Sequence, residues 1–252
     1  MHPEFIQLGP LDIRTYGVLV AAGFACGLWV AAWRARREQL PPQMIYDLGV
    51  WVILAGVLGA KLFYLVVYGD EFLAAWRAEG WRALWHGFVF FGGFLAAVAS
   101  VIIYARVKRL PLWKLADVLA PSLALGHAFG RLGCFAQGCC FGRAGDLPWA
   151  VQFPAGHPTF PLSVHPTQLY EAAGNLLIFA GLSLWYRHKR YDGQVWWFYV
   201  LAYGLLRFAN EWLRDDYSSR YLDRFSDSQL IAAVMVVLAS AVLLLRQKRT
   251  AQ

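Results

Sequence analysis

Charge is scarce in this chain. Only 15% of its 252 residues are charged and 59% are hydrophobic, and a mean hydropathy of +0.43 excludes an ordinary water-soluble domain of this length. Residues 1–10 lack both the basic start and the apolar core of a cleavable leader, so the first apolar run is expected to remain as an anchor. There is no internal repeat and no low-complexity segment, which leaves an inverted-repeat transporter plan without support. Cysteine is limited to Cys26, Cys134, Cys139 and Cys140. No two of them make a Cys-x-x-Cys pair, which a membrane thiol oxidoreductase passing electrons to quinone would be expected to use. Their spacing also matches no common zinc module.

What is abundant points to lipid. Twelve Trp, twelve Tyr and seventeen Phe supply rings that settle at bilayer interfaces. Lys and Arg outnumber Asp and Glu by 23 to 16, but the basic residues sit in short runs beside apolar segments. Anionic headgroups, not nucleic acid, are the expected partner.

About twenty apolar residues cross a bilayer as a helix, and seven windows approach or meet that length: 13–33, 45–67, 88–104, 115–133, 169–186, 195–212 and 230–245. The fourth and sixth carry polar residues and glycine that a lipid-facing helix avoids, which suggests burial against other helices or the lining of a cavity. Orientation follows from the basic residues of alternate loops. Arg34, Arg36, Arg37, Arg106, Lys108, Arg109, Lys114, Arg187, Lys189, Arg190, Arg246, Lys248 and Arg249 fall on one side. The other side has Arg77, Arg82, Arg143, Arg214, Arg220 and Arg224, mixed with acids that include Asp215, Asp216 and Asp223. The expected fold is all-α: a polytopic membrane protein of seven transmembrane helices in one integral membrane domain over 1–252, with its N-terminus outside and its C-terminus cytoplasmic.

That topology brings Tyr16, Lys61, His127, Arg131, Glu171, Arg207 and Glu211 toward one leaflet. The longest loop, 134–167, lies on the same side, and its Pro and Gly content suggests an irregular periplasmic cap over a site. Arg131 and Arg207 admit two readings. They can be neutralised by carboxylates and hold helices together, with Glu211 one turn after Arg207. Beside glycine-exposed backbone N–H groups they can equally bind a phosphodiester. Tyr203 lies four residues before Arg207 on one helix face, where the cation favours a phenol that exchanges a proton. His165-Pro166-Thr167-Gln168-Leu169-Tyr170-Glu171 reads as a helix start, with Thr167 as N-cap. Capping does not require His165, Gln168 or Glu171, which are read as supporting ligands or orienters. For the loop cysteines, a disulfide from Cys134 to Cys139 or Cys140 would brace the loop, and zinc would need a fourth ligand such as His157 or His165.

These residues resemble the bacterial prolipoprotein diacylglyceryl transferases. The family signature Gly-Arg-x-Gly-Asn-Phe-x-Asn-x-Glu-x-x-Gly is matched by Gly130, Arg131, Gly133, Phe135 and Gly142, with Cys134, Gln137 and Cys139 at its Asn, Asn and Glu places. Arg14-Thr15-Tyr16-Gly17 resembles the first-helix start, and Gly59-Ala60-Lys61-Leu62-Phe63-Tyr64 a Gly-Ala-Arg-Leu-x-Tyr segment. His165 to Glu171 resembles His-Pro-Ser-Gln-Leu-Tyr-Glu, Tyr203 to Arg207 with Glu211 resembles Tyr-Gly-x-x-Arg-x-x-x-Glu, and Phe225 to Gln229 resembles the Ser-x-x-Gln segment. Phe91-Gly92-Gly93 stands where many members have His-Gly-Gly, whose histidine is often assigned as a base. The base here must lie elsewhere, at Tyr203 or a nearby histidine, unless the cationic field of the site deprotonates the acceptor thiol.

The resemblance implies a transferase of lipoprotein biosynthesis in the bacterial inner membrane, acting near the periplasmic leaflet. It would move the sn-1,2-diacylglyceryl group of phosphatidylglycerol to the lipobox cysteine of a prolipoprotein signal peptide, forming a thioether and releasing glycerol phosphate. The expected catalytic residues are Tyr203, Arg207 and Glu211. The expected substrate-binding residues are Arg131, Tyr16, Gly142, His165, Gln168 and Glu171, with no metal and no soluble cofactor. The alternatives are a diverged member using another lipid donor or acceptor, or a membrane thiol oxidoreductase.

Overall fold

Long apolar runs broken by Pro, Gly and basic clusters fold into helices whose ends lie near those breaks. The computed structural model describes residues 4–8, 11–214, 220–221 and 225–250. Asp215, Asp216, Asp223 and Arg224, counted above among the outer-loop charges, lie outside the described residues, as do the side chains of Arg220, Lys248 and Arg249. The helices are α1 (Thr15–Arg37), α2 (Gln43–Val67), α3 (Gly69–Glu79), α4 (Phe90–Val107), α5 (Leu112–Gln137), α6 (Thr167–Trp185), α7 (Gln194–Glu211) and α8 (Asp227–Thr250). Short antiparallel strands pair as β1 (Glu4–Leu8) with β2 (Leu11–Arg14), β3 (Val151–Gln152) with β4 (Ser163–Val164), and β5 (Arg220–Tyr221) with β6 (Phe225–Ser226).

All seven apolar windows coincide with helices. α1, α2, α4, α5 and residues Asp227–Gln247 of α8 are long and apolar enough to cross a membrane. α6 and α7 fall outside that group. They bury Gln168, Glu171, Asn175, Gln194, Arg207, Asn210 and Glu211, which lowers their hydropathy, while Leu177 and Leu184 of α6 stay largely exposed at 74% and 79%. α3 and the 3-10 turn Gly80–Trp85 after it were not expected; their faces expose Trp76, Trp81 and Trp85.

The chain divides into two compact units, the first Ala32–Leu115 and the second Met1–Ala31 with Ala116–Gln252. In the first, α2 and α4 approach closely at glycines: a Cβ on Gly59 would lie 2.6 Å from the carbonyl oxygen of Gly92, so no larger residue fits without the helices separating. Lys61 donates to the carbonyls of Ala83 at 3.2 Å and His86 at 2.6 Å, and its ammonium lies 5.0 Å from the Phe72 ring centroid. This lysine anchors the 3-10 turn.

In the second unit α1 packs on α5 at Gly23, against Phe129 and the Gly126 carbonyl. α6 meets α7 where Gly174 receives Leu206, and α7 meets α8 where Gly204 faces Val236 and the Ala232 carbonyl. Buried Asp117 of α5 caps the start of α7, accepting from the backbone N–H of Gly193 at 2.8 Å and of Trp196 at 2.9 Å. Lys189 lies 3.6 Å from the same carboxylate. A buried anion is thus balanced by a helix N-terminus and one cation.

Candidate active site

The C-terminal ends of α5 and α7 and the N-terminal ends of α6 and α8 meet in the second unit, and their polar residues meet there too. Glu171 of α6, 1% exposed, is the hub. Its Oε1 lies 3.0 Å from Arg131 Nη2, 3.5 Å from His127 Nε2, and accepts from the Tyr203 hydroxyl at 3.4 Å. Its Oε2 lies 3.5 Å from Arg207 Nη1 and accepts from Asn210 Nδ2 at 3.2 Å. Residues 127 and 131 are one turn apart on α5, as are 203, 207 and 211 on α7, so each helix presents one polar face.

Glu211 organises the second half. Its Oε2 is 2.9 Å from Arg207 Nη2 and 3.9 Å from Arg214 Nε, and its Oε1 accepts from Ser226 Oγ at 2.7 Å. Arg207 also donates to Ser228 Oγ at 3.0 Å. The Ser226 hydroxyl oxygen accepts from the Gln229 N–H at 3.2 Å, and Gln229 Oε1 accepts from the Ser226 N–H at 3.1 Å. The Ser-x-x-Gln segment is therefore a reciprocal turn that holds Ser226 against Glu211.

Three guanidiniums, Arg131, Arg207 and Arg214, converge on the carboxylates of Glu171 and Glu211. Arg131 Nε and Gln168 Oε1 are buried without a hydrogen-bond partner. Buried polar atoms are ordinarily satisfied, so a buried cationic cluster with an open donor is built to take an anion. Arg131 has the carboxylate partner of the structural reading and the open donor of the ligand-binding one.

The loop after α5 is fastened to the start of α6. Thr167 Oγ1 donates to the Cys140 carbonyl at 2.8 Å and Gln168 Nε2 to the Cys139 carbonyl at 2.7 Å. Thr167 is thus the first helical residue, not the N-cap; Pro166 occupies the cap and the hydroxyl turns outward to the loop. The expected bracing disulfide is also absent among the described residues. All four cysteines are free, and Cys134, Cys139 and Cys140 instead place their sulfurs within 4.8 Å of one another. Hydrogen bonds from the Cys134 and Cys139 thiols hold the Cys140 thiol well below the ordinary thiol range, and those with Cys134 and Cys140 push Cys139 above it.

Gly142 and His165 belong to the scaffold. The N–H of Gly142, expected among the substrate-binding residues, donates to the His165 carbonyl at 2.9 Å, and the His165 N–H donates to the Arg143 carbonyl at 3.0 Å. A Cβ at Gly142 would come within 2.5 Å of the Leu213 carbonyl oxygen, so this position requires glycine for close passage of two chains. The His165 ring nitrogen Nδ1 lies 3.4 Å from the Tyr170 hydroxyl. Tyr16 is 42% exposed and its ring lies against Gly133, beside the cysteine cluster and apart from the contacts of Glu171.

The structure adds residues that the sequence did not single out for roles. His127 packs against Tyr203 with tilted rings, their centroids 4.9 Å apart. Asn210 joins Glu171 to the Thr167 carbonyl, at 3.2 and 3.3 Å. Arg214, read only as a loop charge, is buried beside Glu211. Helical spacing held the signal for two of them: His127 is four residues before Arg131, and Asn210 three after Arg207.

The sequence profile of the family described as prolipoprotein diacylglyceryl transferase matches residues 3–245. Among curated proteins, the phosphatidylglycerol--prolipoprotein diacylglyceryl transferase of Rhodospirillum rubrum is 36% identical, covering 85% of this chain and 80% of the relative. That of Synechococcus elongatus is 34% identical over 93% of this chain and 83% of its own length. That of Cupriavidus metallidurans is 31% identical over 99% and 96%. Agreement over nearly the whole length covers every helix that builds the Glu171 cluster, and the chain belongs to the prolipoprotein diacylglyceryl transferase family.

Proposed function

We propose that this chain transfers the diacylglyceryl group of phosphatidylglycerol to the lipobox cysteine thiol of a prolipoprotein, forming a thioether and releasing glycerol phosphate. The observation that carries this reading is the convergence of Arg131 and Arg207 on one buried carboxylate, Glu171, with Arg131 Nε buried and open for a further acceptor. A phosphodiester is an anion whose oxygens match a guanidinium fork. Arg131 binds the headgroup. Arg207, held by Glu211 and Ser228, stabilises the negative charge that grows on the departing phosphate. The acceptor thiol attacks the glyceryl carbon, the carbon–oxygen bond to phosphate breaks, and the thiol proton passes through the Tyr203, His127 and Glu171 cluster to the leaving group. This route supplies a proton path where Phe91 replaces the family histidine. Tyr16 and Gln168 border the site, while Gly142 and His165 shape its wall.

In this reading all seven long helices cross the inner membrane. The N-terminus lies outside, the C-terminus in the cytoplasm, and the 134–167 loop caps the site on the periplasmic side. Support comes from the basic residues of the cytoplasmic loops and from the exposed leucines of α6. The polar groups of α6 and α7 are buried against neighbouring helices, the arrangement that lets such helices span a bilayer. A strain depleted of its own transferase, supplied with this chain, tests the reading. Lipidation of a reporter prolipoprotein and its loss with Arg131→Ala at equal expression are expected, and unimpaired lipidation by that variant contradicts the assignment.

A further inference from the structure

We propose that Cys134, Cys139 and Cys140 form a three-thiolate zinc site whose fourth position receives the sulfur of the acceptor cysteine; this rests on the diacylglyceryl-transfer reading. The three sulfurs lie within 4.8 Å of one another. Four-coordinate zinc with sulfur about 2.3 Å away places its sulfurs about 3.8 Å apart, so the cluster needs to contract by only about 1 Å. The backbone turns bring the three sulfurs together. Cys134 lies on the end of α5, one turn beyond Arg131, and the chain reverses at Gly138 and Cys140, with φ of +80° and +60°. The Cys139 N–H then donates to the Cys134 carbonyl at 3.1 Å. Gln168 and Thr167 hold the carbonyls of Cys139 and Cys140, so the backbone of the triad is fixed without any ligand. His157 is not a fourth ligand in this arrangement, since its Nδ1 and Nε2 bond to Thr159 Oγ1 and the Gly138 carbonyl.

The open position has a purpose in this reaction. Three thiolates around a divalent ion leave one negative charge beside Arg131, and Cys139 is exposed, so an incoming thiol has access. Coordination deprotonates a thiol while leaving its sulfur able to attack carbon. The coordinated acceptor sulfur forms the new carbon–sulfur bond as the glyceryl carbon–oxygen bond breaks. The electron pair leaves on glycerol phosphate, which takes up the thiol proton, and the neutral thioether is released from the metal as a poor ligand. Cys134 and Cys139 stand at the Asn and Glu places of the family signature, and Phe91 at its histidine place. The metal site supplies the thiolate, the Tyr203, His127 and Glu171 cluster carries its proton to the leaving group, and together they replace the histidine.

The test uses the full chain, purified in detergent with its thiols reduced. Zinc content is measured, then cobalt(II) is substituted and titrated with a lipobox peptide and with the same peptide carrying serine for cysteine. The expected results are about one zinc per chain, tetrahedral cobalt-thiolate absorption, and a spectral change with the cysteine peptide alone. Cys134→Ser and Cys139→Ser should lower zinc content at least tenfold, Cys139→His should restore part of it, and Cys26→Ser should leave it unchanged. Less than a tenth of an equivalent of zinc in the reduced protein, a disulfide within the triad as isolated from membranes, or cobalt spectra indifferent to the peptide would overturn the proposal. None of these readouts needs phosphatidylglycerol. If they hold and no diacylglyceryl transfer occurs, the transferase reading fails and the zinc–thiol site stands.

Discussion

Arg131 Nη2 lies 3.0 Å from Glu171 Oε1, and this pair joins α5 to α6 at the centre of the cluster. Glu171 also serves Arg207 through its other oxygen, so one carboxylate positions both cations assigned to the phosphodiester. Removing it should do more than delete a contact. Glu171→Gln keeps the shape but removes the negative charge that Arg131 and Arg207 share. The expected outcome is a loss of transfer of about 10²-fold or more, with lowered thermal stability, read by lipidation rate and by melting in detergent.

Arg131 itself separates structure from binding. Arg131→Lys preserves charge but not the planar fork, and the open Nε is lost. Lysine is not equivalent at a forked anion site. KM for phosphatidylglycerol should rise about tenfold or more, equivalent to about 1.4 kcal/mol, while the chain accumulates normally in membranes. An unchanged KM would assign Arg131 to helix packing alone.

Tyr203 contacts Glu171 and packs against the tilted ring of His127. Tyr203→Phe removes only the hydroxyl, so the rings remain packed. kcat is expected to fall by about 10²- to 10⁴-fold with little change in KM, the pattern of a group acting in proton transfer. His127→Asn is expected to lower kcat as well, and the double variant to lose less than the two effects multiplied, because both residues act on one carboxylate.

The helices were legible because their hydrophobic windows end at basic clusters, as at Arg34 to Arg37 and Arg106 to Arg109. The pairing of Arg207 with Glu211 was legible from four-residue spacing and is present at 2.9 Å. Three things were not. α3 is amphipathic and short, so no apolar window marks it. The partner of Arg131 depends on how α6 docks on α5, which no local pattern encodes. The cysteines suggested a pairwise bridge because sequence shows only separations, whereas the turns at Gly138 and Cys140 bring three sulfurs together.

Asp117 offers a test of the scaffold away from the cluster. Its carboxylate accepts two backbone N–H groups at the start of α7, so Asp117→Ala leaves those donors and Lys189 without it. A loss of about 1–3 kcal/mol follows for each buried donor left unsatisfied. The melting temperature should drop, with KM for lipid unchanged in the fraction that remains folded.

The central claim is that a phosphodiester at the Arg131–Arg207 cluster is cleaved with transfer of its glyceryl group to a thiol. Mass spectrometry of a lipobox peptide, incubated with the purified chain and phosphatidylglycerol, tests it most directly. The account predicts a diacylglyceryl mass increment on the cysteine, equimolar glycerol phosphate, and loss of both with Arg207→Ala. An unmodified peptide under conditions where an active transferase from a relative modifies it would contradict the account.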